Sequence, residues 1–594
     1  MSYPPHYSYL SLLHDLWSHV SRQRRIQFIL VLILTVLSSL SEMLTIGAVF
    51  PFIMALTSPE KVLAFPLLKP VISLLSLHTT QSLVLFLTVG FCLLALLSGL
   101  MRVTLLWASN QLSCRTGSDI SIDIYRRTLY QPYAVHVSRN SSTLISGLTV
   151  KSNAVVSGVI NPVLALISSL MMLVAILLSL MFIDYQVALL TLGMFSVIYL
   201  VIIRYTRKKL RANSAAVTTE LTFAVKALQE GLGGIRDVLI DGAQETYCKT
   251  YQAADYKMRR AQANTLFIGQ CPRYLIEALG TALIALIACH LMLGELGIGN
   301  ALPVLGALAL GAQRMLPIVQ QAYASWTSIL GNQGNLKDTL ALLKQPFPEA
   351  YGQSVGAPLG FTQSITLNQL NFQYHEAAAS VLQGVNLQIT KGSKVGFIGE
   401  TGSGKSTLID IIMGLLEPTS GSMQVDGVEI NALNYRAWQA LIAHVPQTIF
   451  LTDATVAENI AFGVPRNSID MARVKQAASL AQISEVIETW PDTYHTVVGE
   501  RGVKLSGGQR QRIGIARALY KKAEVIVFDE ATSALDTNTE HAVMQSIAQL
   551  GDNITVLIVA HRLSTLKTCD RIVELKNGTI HRTGSYSHII DGQP

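Results

Sequence analysis

The chain has 594 residues, half of them hydrophobic and only 14% charged, with a formal net charge of +7. A water-soluble protein carries closer to about a quarter charged residues, so a wholly soluble chain is excluded and much of the sequence must lie in lipid. The six cysteines, at positions 92, 114, 248, 271, 289 and 569, show no C-x-x-C pair and no metal-ligand spacing. They are expected to be small packing residues.

In chain order, a polar N-terminus without a cleavable signal pattern leads into residues 7–25. These can form an amphipathic helix with Leu10, Leu13 and Trp17 on one side, ending in Arg22, Arg24 and Arg25. The pattern predicts an interfacial helix on the cytoplasmic leaflet. Apolar stretches follow at 26–56, 81–108, 158–183, 186–203, 265–291 and 300–325. Each can cross a hydrocarbon core of about 30 Å, which predicts six spans. The first outer connection, 58–80, is itself apolar after Pro66. It is expected to form a short amphipathic helix on the outer face, with a re-entrant edge of the first span as the alternative.

Basic residues set the orientation. Segment 112–155 holds five Lys/Arg (Arg115, Arg126, Arg127, Arg139 and Lys151) and segment 204–260 holds eleven. The opposite connections carry only Lys61 and Lys69, so the basic segments and both termini are expected in the cytoplasm. Both segments are rich in helix formers and read as membrane helices extended far into the cytoplasm.

After Leu330 the character changes, with Pro346, Pro348, Pro358 and several glycines in 337–365. The expected division is an N-terminal helix at 1–25, a transmembrane domain at 26–336, a linker at 337–359 and a soluble domain at 360–594. Strand-like runs at 365–373, 395–398, 441–445, 525–528 and 555–560 predict an α/β fold for the last of these. The fold class expected is therefore an all-α membrane domain of six long helices followed by an α/β domain with a phosphate loop.

That loop is Gly399-Glu400-Thr401-Gly402-Ser403-Gly404-Lys405-Ser406, followed by Thr407 at the start of a helical run. It fits G-x-x-x-x-G-K-[ST] between a strand and a helix. Its glycines let backbone N–H groups face a phosphate chain at a helix N-terminus. Lys405 would reach the β- and γ-phosphates and Ser406 would hold Mg²⁺, so the pattern implies nucleoside triphosphate binding.

Further motifs stand in a set order. Tyr374 closes Asn371-Phe372-Gln373-Tyr374, and Gln447 follows the strand at 441–445. Leu505-Ser506-Gly507-Gly508-Gln509 precedes Val525-Ile526-Val527-Phe528-Asp529-Glu530, then Ser533-Ala534-Leu535-Asp536 and His561. Together they resemble the ATP-binding-cassette family across the whole soluble region. The resemblance implies that Tyr374 stacks on adenine and that Asp529 and Gln447 join Ser406 around Mg²⁺. It implies Glu530 as general base, with His561 and Gln447 as its catalytic companions. Ser506, Gly507, Gly508, Gln509 and Asp536 would complete the nucleotide site of a second cassette, so the chain is expected to form a homodimer with two equivalent ATP sites. Val498-Gly499-Glu500-Arg501-Gly502 and six spans fused ahead of the cassette are similar to half-size exporters, including lipid A and multidrug types. Leu228–Asp237 resembles the exporter turn that docks on a cassette, and by position residues near 129–145 would form another such dock. Such a frame implies a multi-pass protein of the cytoplasmic (inner) membrane and excludes a soluble cassette acting on nucleic acid.

The cargo must be read from charged groups within the spans, which usually face a cavity. Glu42, flanked by Ser38, Ser39 and Ser41, lies in the first span, and Arg102, Arg273 and Arg314 lie in the second, fifth and sixth. Glu277 can pair with Arg273 one turn away. Guanidinium binds phosphate bidentately, so the arginines point to an anionic guest, with snorkelling to head groups the alternative for Arg102 and Arg273. The pattern, with Ser41–Phe52, resembles flippases of lipid-linked oligosaccharides. It implies a membrane lipid partner, amphipathic and bearing (pyro)phosphate. Exporters of peptides, drugs or other lipids use the same frame, and an ATP-gated channel or regulatory receptor is the alternative from another class.

Overall fold

A computed structural model describes residues 9–57, 80–183, 185–293, 297–348, 351, 359–374, 379–530, 536–548, 553–560 and 563–589. The chain divides into two units. Met1–Leu129 and Arg139–Pro346 form one, and Tyr130–Ser138 and Phe347–Pro594 form the other.

Among the described residues, the first unit is built of helices. Its elements are α1 (Tyr9–Ser18), α2 (Arg22–Thr57), α3 (Thr80–Leu129), α5 (Asn161–Ile183), α6 (Tyr185–Gly233), α7 (Gln244–Leu293), α8 (Gly297–Gly331) and α9 (Gln333–Leu343); α4 (Tyr133–Ser138) belongs to the other unit. In lipid the backbone has no water to bond, so an apolar stretch must close its own hydrogen bonds, and a helix does this within one segment. The 50 residues of α3 make a rod of about 75 Å, well beyond a ~30 Å hydrocarbon core. The long helices therefore continue past the membrane; six of them run through the expected stretches, and among the described residues three are long and apolar enough to cross a membrane. The outer helix expected within 58–80 lies outside the described residues, apart from Thr80 at the start of α3.

The helices are inside-out relative to a soluble protein. On α2, Ile29, Leu30, Ile33, Leu37, Leu40 and Leu44 are exposed, while Thr35, Ser38, Ser39, Ser41, Glu42 and Thr45 are buried. Thr35, Ser39 and Thr45 donate their hydroxyls to the carbonyls of Val31, Thr35 and Ser41 one turn back, which satisfies them without water.

The N-terminal helix differs from expectation. It ends at Ser18, and Arg22, Arg24 and Arg25 belong to α2. Arg25 turns back and donates to the Trp17, Ser18 and Val20 carbonyls, capping the end of α1 with positive charge. The buried residues are Leu12 and Leu16, which pack with Ile124, Val155, Leu336 and Leu340, whereas Leu10 is exposed. The start of α5 is preceded by Ser141–Ser146, a π-helical turn at Gly147–Lys151, an α turn at Ser152–Val155 and a second π turn at Val156–Ile160. Of the cysteines only Cys569 is buried; Cys92, Cys114, Cys248 and Cys289 sit on outward helix faces, and Cys271 is half-buried.

The second unit is α/β. Its strands are β1 (Ser364–Phe372), β2 (Leu382–Thr390), β3 (Lys394–Gly399), β4 (Ser420–Val425), β5 (Val428–Glu429), β6 (Ile442–Val445), β7 (Val525–Asp529), β8 (Thr555–Val559), β9 (Arg571–Lys576) and β10 (Thr579–Gly584). One sheet has the order β10-β9-β3-β8-β7-β6, parallel except for the antiparallel β9–β10 edge; the other is antiparallel, β2-β1-β4-β5. The central strands are apolar on both faces because each face is covered. On β7, Val525 and Val527 enter one core while Ile526 and Phe528 enter the other. Three helices of this unit matter below: α10 (Lys405–Ile412), α11 (Gly507–Tyr520) and α12 (Thr537–Ala548).

Candidate nucleotide site and intramembrane polar cluster

In a parallel sheet, ligands gather outside the carboxyl ends of the strands. Here β3 runs into the phosphate loop and β7 runs into Asp529 and Glu530, with β8 between them. Gly399 lies at φ 146°, and a Cβ there would fall 2.3 Å from the Leu575 carbonyl oxygen; Gly404, which starts α10, lies at φ 99°. Neither place admits a side chain, so the backbone itself forms the cradle. Ser403 Oγ is buried in the loop with no hydrogen-bond partner among the described residues. The first amides of α10 have no acceptor within the helix. An orphaned hydroxyl, free amides and a helix N-terminus together fit a polyanionic phosphate chain.

The ammonium of Lys405 donates to the Gly399 and Glu400 carbonyls at 2.8 and 2.9 Å. Burial holds its pKa below the usual lysine value, against the pull of Glu530 and Asp529. Gln447, just beyond β6, donates from Nε2 to Glu530 Oε2 at 2.6 Å. Glu530 adopts φ 51°, a left-handed conformation rare for a non-glycine residue, and its N–H donates to the Val559 carbonyl of β8. Asp529, Ser406 and Gln447 offer carboxylate, hydroxyl and amide oxygens, donors of the kind a hard divalent cation accepts. Tyr374 hydrogen bonds through Oη to Thr407 Oγ1 at 3.1 Å and stands edge-on to Phe372, with its ring nearly half exposed.

Other expected site residues are placed apart from this group. Ser506 is the N-cap of α11: its hydroxyl accepts from the Gln509 N–H, and the Gln509 side chain accepts from the Ser506 N–H. Gly507 and Gly508 form the first turn behind it, on an accessible helix end. Asp536 accepts from the Thr539 N–H and hydroxyl at the head of α12, and these bonds hold its carboxyl below the usual range. His561 lies outside the described residues.

Beside the phosphate loop, Asp410 escaped the motif reading. Asp410, one turn along α10 from Ser406, has its carboxyl pushed up to about 6 by burial and by the charge of Asp529. Its only sequence signal is a lone acid in the run Leu408-Ile409-Asp410-Ile411-Ile412. Within the same unit, Tyr130, in the turn ahead of α4, lies beneath the Arg436 guanidinium, 4.7 Å from the ring centre, and edge-on to Tyr351.

In the membrane unit, Glu42 is completely buried between α2 and α3. It accepts from Ser98 Oγ at 2.6 Å and lies 3.9 Å from the Arg102 guanidinium, whose side chain is 46% exposed. Ser98 was not picked out in the sequence, because a single serine in an apolar helix carries no signal. Arg273 and Glu277 approach to 4.0 Å on the outside of α7. Arg314 lies on α8, and its side chain is outside the described residues.

Membrane-spanning helices joined on one chain to a P-loop α/β unit define an ATP-powered membrane transporter. Family comparison agrees: residues 26–312 match the ABC transporter transmembrane region and residues 382–533 match the ABC transporter family. The chain belongs to the ABC transporter family, as a half-size exporter whose ATPase is coupled to transport across a membrane. It is 30% identical over 512 residues to an ATP-dependent lipid A-core flippase of Cupriavidus metallidurans, covering 84% of this chain and 83% of that one. It is 28% identical to the heterocyst differentiation ATP-binding protein HepA of a Nostoc species, over 84% of this chain and 82% of the relative. A solved bacterial Atm1-family ABC exporter with ATP bound shares the fold, with TM-score 0.77, 22% identity and 96% of each chain covered.

Proposed function

We propose that the chain works as a homodimeric flippase that moves an amphipathic lipid with a phosphate or pyrophosphate head across the cytoplasmic membrane, with both termini and the cassettes on the cytoplasmic side. Its nucleotide site uses Gly399–Thr407 for the phosphates and Tyr374 for the adenine. Glu530 polarises the attacking water, oriented by Gln447, and His561 contacts the γ-phosphate. Ser406, Asp529 and Gln447 would hold Mg²⁺, which supplies charge neutralisation on the β- and γ-oxygens. Ser506, Gly507, Gly508, Gln509 and Asp536 serve the nucleotide held by the other protomer, because an exposed, capped helix N-terminus is an anion site. Closure of two cassettes shifts the membrane unit between inward- and outward-facing states, and the cargo must bind those states with different affinity.

The observation that carries the cargo reading is the buried pair Glu42 and Ser98 beside the half-exposed Arg102 within membrane helices. Charges in that setting are costly and mark a substrate path. Relatives named as lipid A-core flippases support a lipid cargo. Arg102, Arg273 and Arg314 would engage that head, and Glu42 would hold Arg102 until it arrives. Replacing each arginine by Gln should reduce flipping of a polyprenyl pyrophosphate in proteoliposomes by about tenfold or more, the worth of one hydrogen bond to a charged group. Basal ATPase should survive, and Arg→Lys should recover only part of the loss, since ammonium lacks the planar fork. Normal flipping by all three Gln variants would remove the anionic-head reading.

A further inference from the structure

Two elements of the second unit meet at a single side-chain hydrogen bond. Tyr374 stands just past the end of β1, whose last residue, Phe372, pairs with Leu382 of β2. The Gln373 N–H donates to the Thr419 hydroxyl, so the backbone is held up to that point. Beyond it the Tyr374 side chain has two anchors. Its ring stands edge-on to Phe372, with ring centres 4.9 Å apart and planes at 86°. Its hydroxyl meets Thr407 Oγ1 at 3.1 Å. Thr407 sits in the first turn of α10 and is 6% exposed, whereas Tyr374 is 45% exposed. An edge contact at one end and a hydrogen bond at the other set the direction and plane of a ring and leave much of its surface accessible.

We propose that the Thr407 side chain positions the adenine base by acting through Tyr374, while the Thr407 amide stays with the phosphate loop. The inference rests on reading Tyr374 as the adenine platform. Adenine and the phosphates of ATP are joined by one ribose, so the two places that receive them must keep a matching separation. Here the platform hangs from the end of β1 and the phosphate cradle opens α10. The Tyr374–Thr407 bond ties these two elements together across 33 positions of sequence. A hydroxyl carries one donor and two acceptor sites, so the two side chains can satisfy each other in either direction. A ring already held in its binding orientation loses less freedom when a base stacks on it, and that difference appears as affinity. Thr407 suits the task because a β-branched side chain has few rotamers in a helix.

Steady-state ATPase of the full-length protein tests this, with inorganic tripolyphosphate as competing inhibitor because it carries phosphates without a base. Tyr374→Phe and Thr407→Val each remove one hydroxyl and keep the ring or the branch. Each should raise KM for ATP about three- to tenfold, the worth of one neutral hydrogen bond. The loss should sit in KM rather than kcat, since the base is stacked equally in ground and transition states. The inhibition constant of tripolyphosphate should not move. The double variant should be no worse than the weaker single variant, because both remove the same bond, and Thr407→Ser should recover most of the affinity. A raised tripolyphosphate constant in Thr407→Val overturns the inference and marks that side chain as a phosphate contact. So do additive losses, an unchanged KM in either single variant, or no recovery with Thr407→Ser. Tyr374→Ala tests the platform by itself, because stacking of a base on an aromatic ring is worth about tenfold or more in affinity. A large KM rise in Tyr374→Ala with none in Tyr374→Phe and Thr407→Val keeps the platform and removes the tether. An unaltered KM in Tyr374→Ala removes the platform reading, and the tether with it.

Discussion

Glu530 is held in a left-handed conformation and bonded to Gln447, so its carboxylate is aimed by backbone and side chain together. Glu530→Gln keeps the shape and removes the proton acceptor; ATP binding should persist while steady-state hydrolysis falls at least ~100-fold. Lys405→Ala should instead weaken nucleotide binding, measurable by titration with a fluorescent ATP analogue. Asp410 gives a different kind of prediction. Its folded pKa of about 6 lies above the ordinary value of 3.8, so the folded state resists ionisation that the unfolded chain accepts. Stability is therefore unaffected below about pH 4, declines as pH rises from about 4 to 6, and stays lower above that. Asp410→Asn should raise the Tm of the magnesium-free protein at pH 7.5, with the gain shrinking towards zero at pH 4. A gain of equal size at both pH values would show that burial of Asp410 costs nothing through its charge.

Among the elements, α9 shows how a short helix is fixed onto longer ones. Lys151, on the first π turn before α5, is 3% exposed and donates to Asp338 of α9 at 2.6 Å and to Thr222 of α6 at 3.0 Å. Lys344 at its end pairs with Asp15 of α1 at 2.7 Å, and Arg127 donates to the Gln345 carbonyl at 2.9 Å. Because Asp338 is 45% exposed, water screens part of the Lys151 pair. Lys151→Met should still destabilise the detergent-solubilised protein by about 1–2 kcal/mol, the worth of a charged hydrogen bond reduced by that screening. The second π turn packs more tightly. A Cβ at Gly158 would lie 2.2 Å from Asn332 Nδ2, and Asn332 is itself tied to the Ser328 carbonyl and to Asn335. Gly158→Ala should therefore cost about 1–3 kcal/mol by overpacking, seen as a lowered Tm. An unchanged Tm would mean that Asn332 swings away freely.

At the scale of the whole molecule, one chain supplies a phosphate loop and a helix, α11, whose N-terminus is capped by Ser506. If each serves the other protomer's partner element, Ser506→Arg and Lys405→Ala should complement. A mixture of the two variants should regain ATPase through its one intact site, while each alone stays near zero. Substantial activity from Ser506→Arg alone would contradict the shared site.

Much of this was open to reading in the residues. The phosphate loop, the apolar strand ending in Asp529-Glu530 and the spans are contiguous patterns, written by local rules: glycines where no Cβ fits, unbroken apolar runs where both faces or the lipid must be met. The edge strands β2, β10 and the two-residue β5 escaped, and so did the interior strands β4 and β9, because polar and charged residues such as Arg571, Glu574 and Arg582 interrupt their apolar ones. The boundary between α1 and α2 escaped because Arg25 reverses onto carbonyls behind it, a contact that no periodicity records. Glu42 and Arg102 were visible as costly charges, but their approach depends on two helices packing with a particular rotation, sixty positions apart in sequence. The raised Asp410 carboxyl is likewise a product of burial. Sequence sets which groups are present and which local structures they favour; only tertiary packing decides which of them are kept from water and which face one another, and their chemistry follows from that.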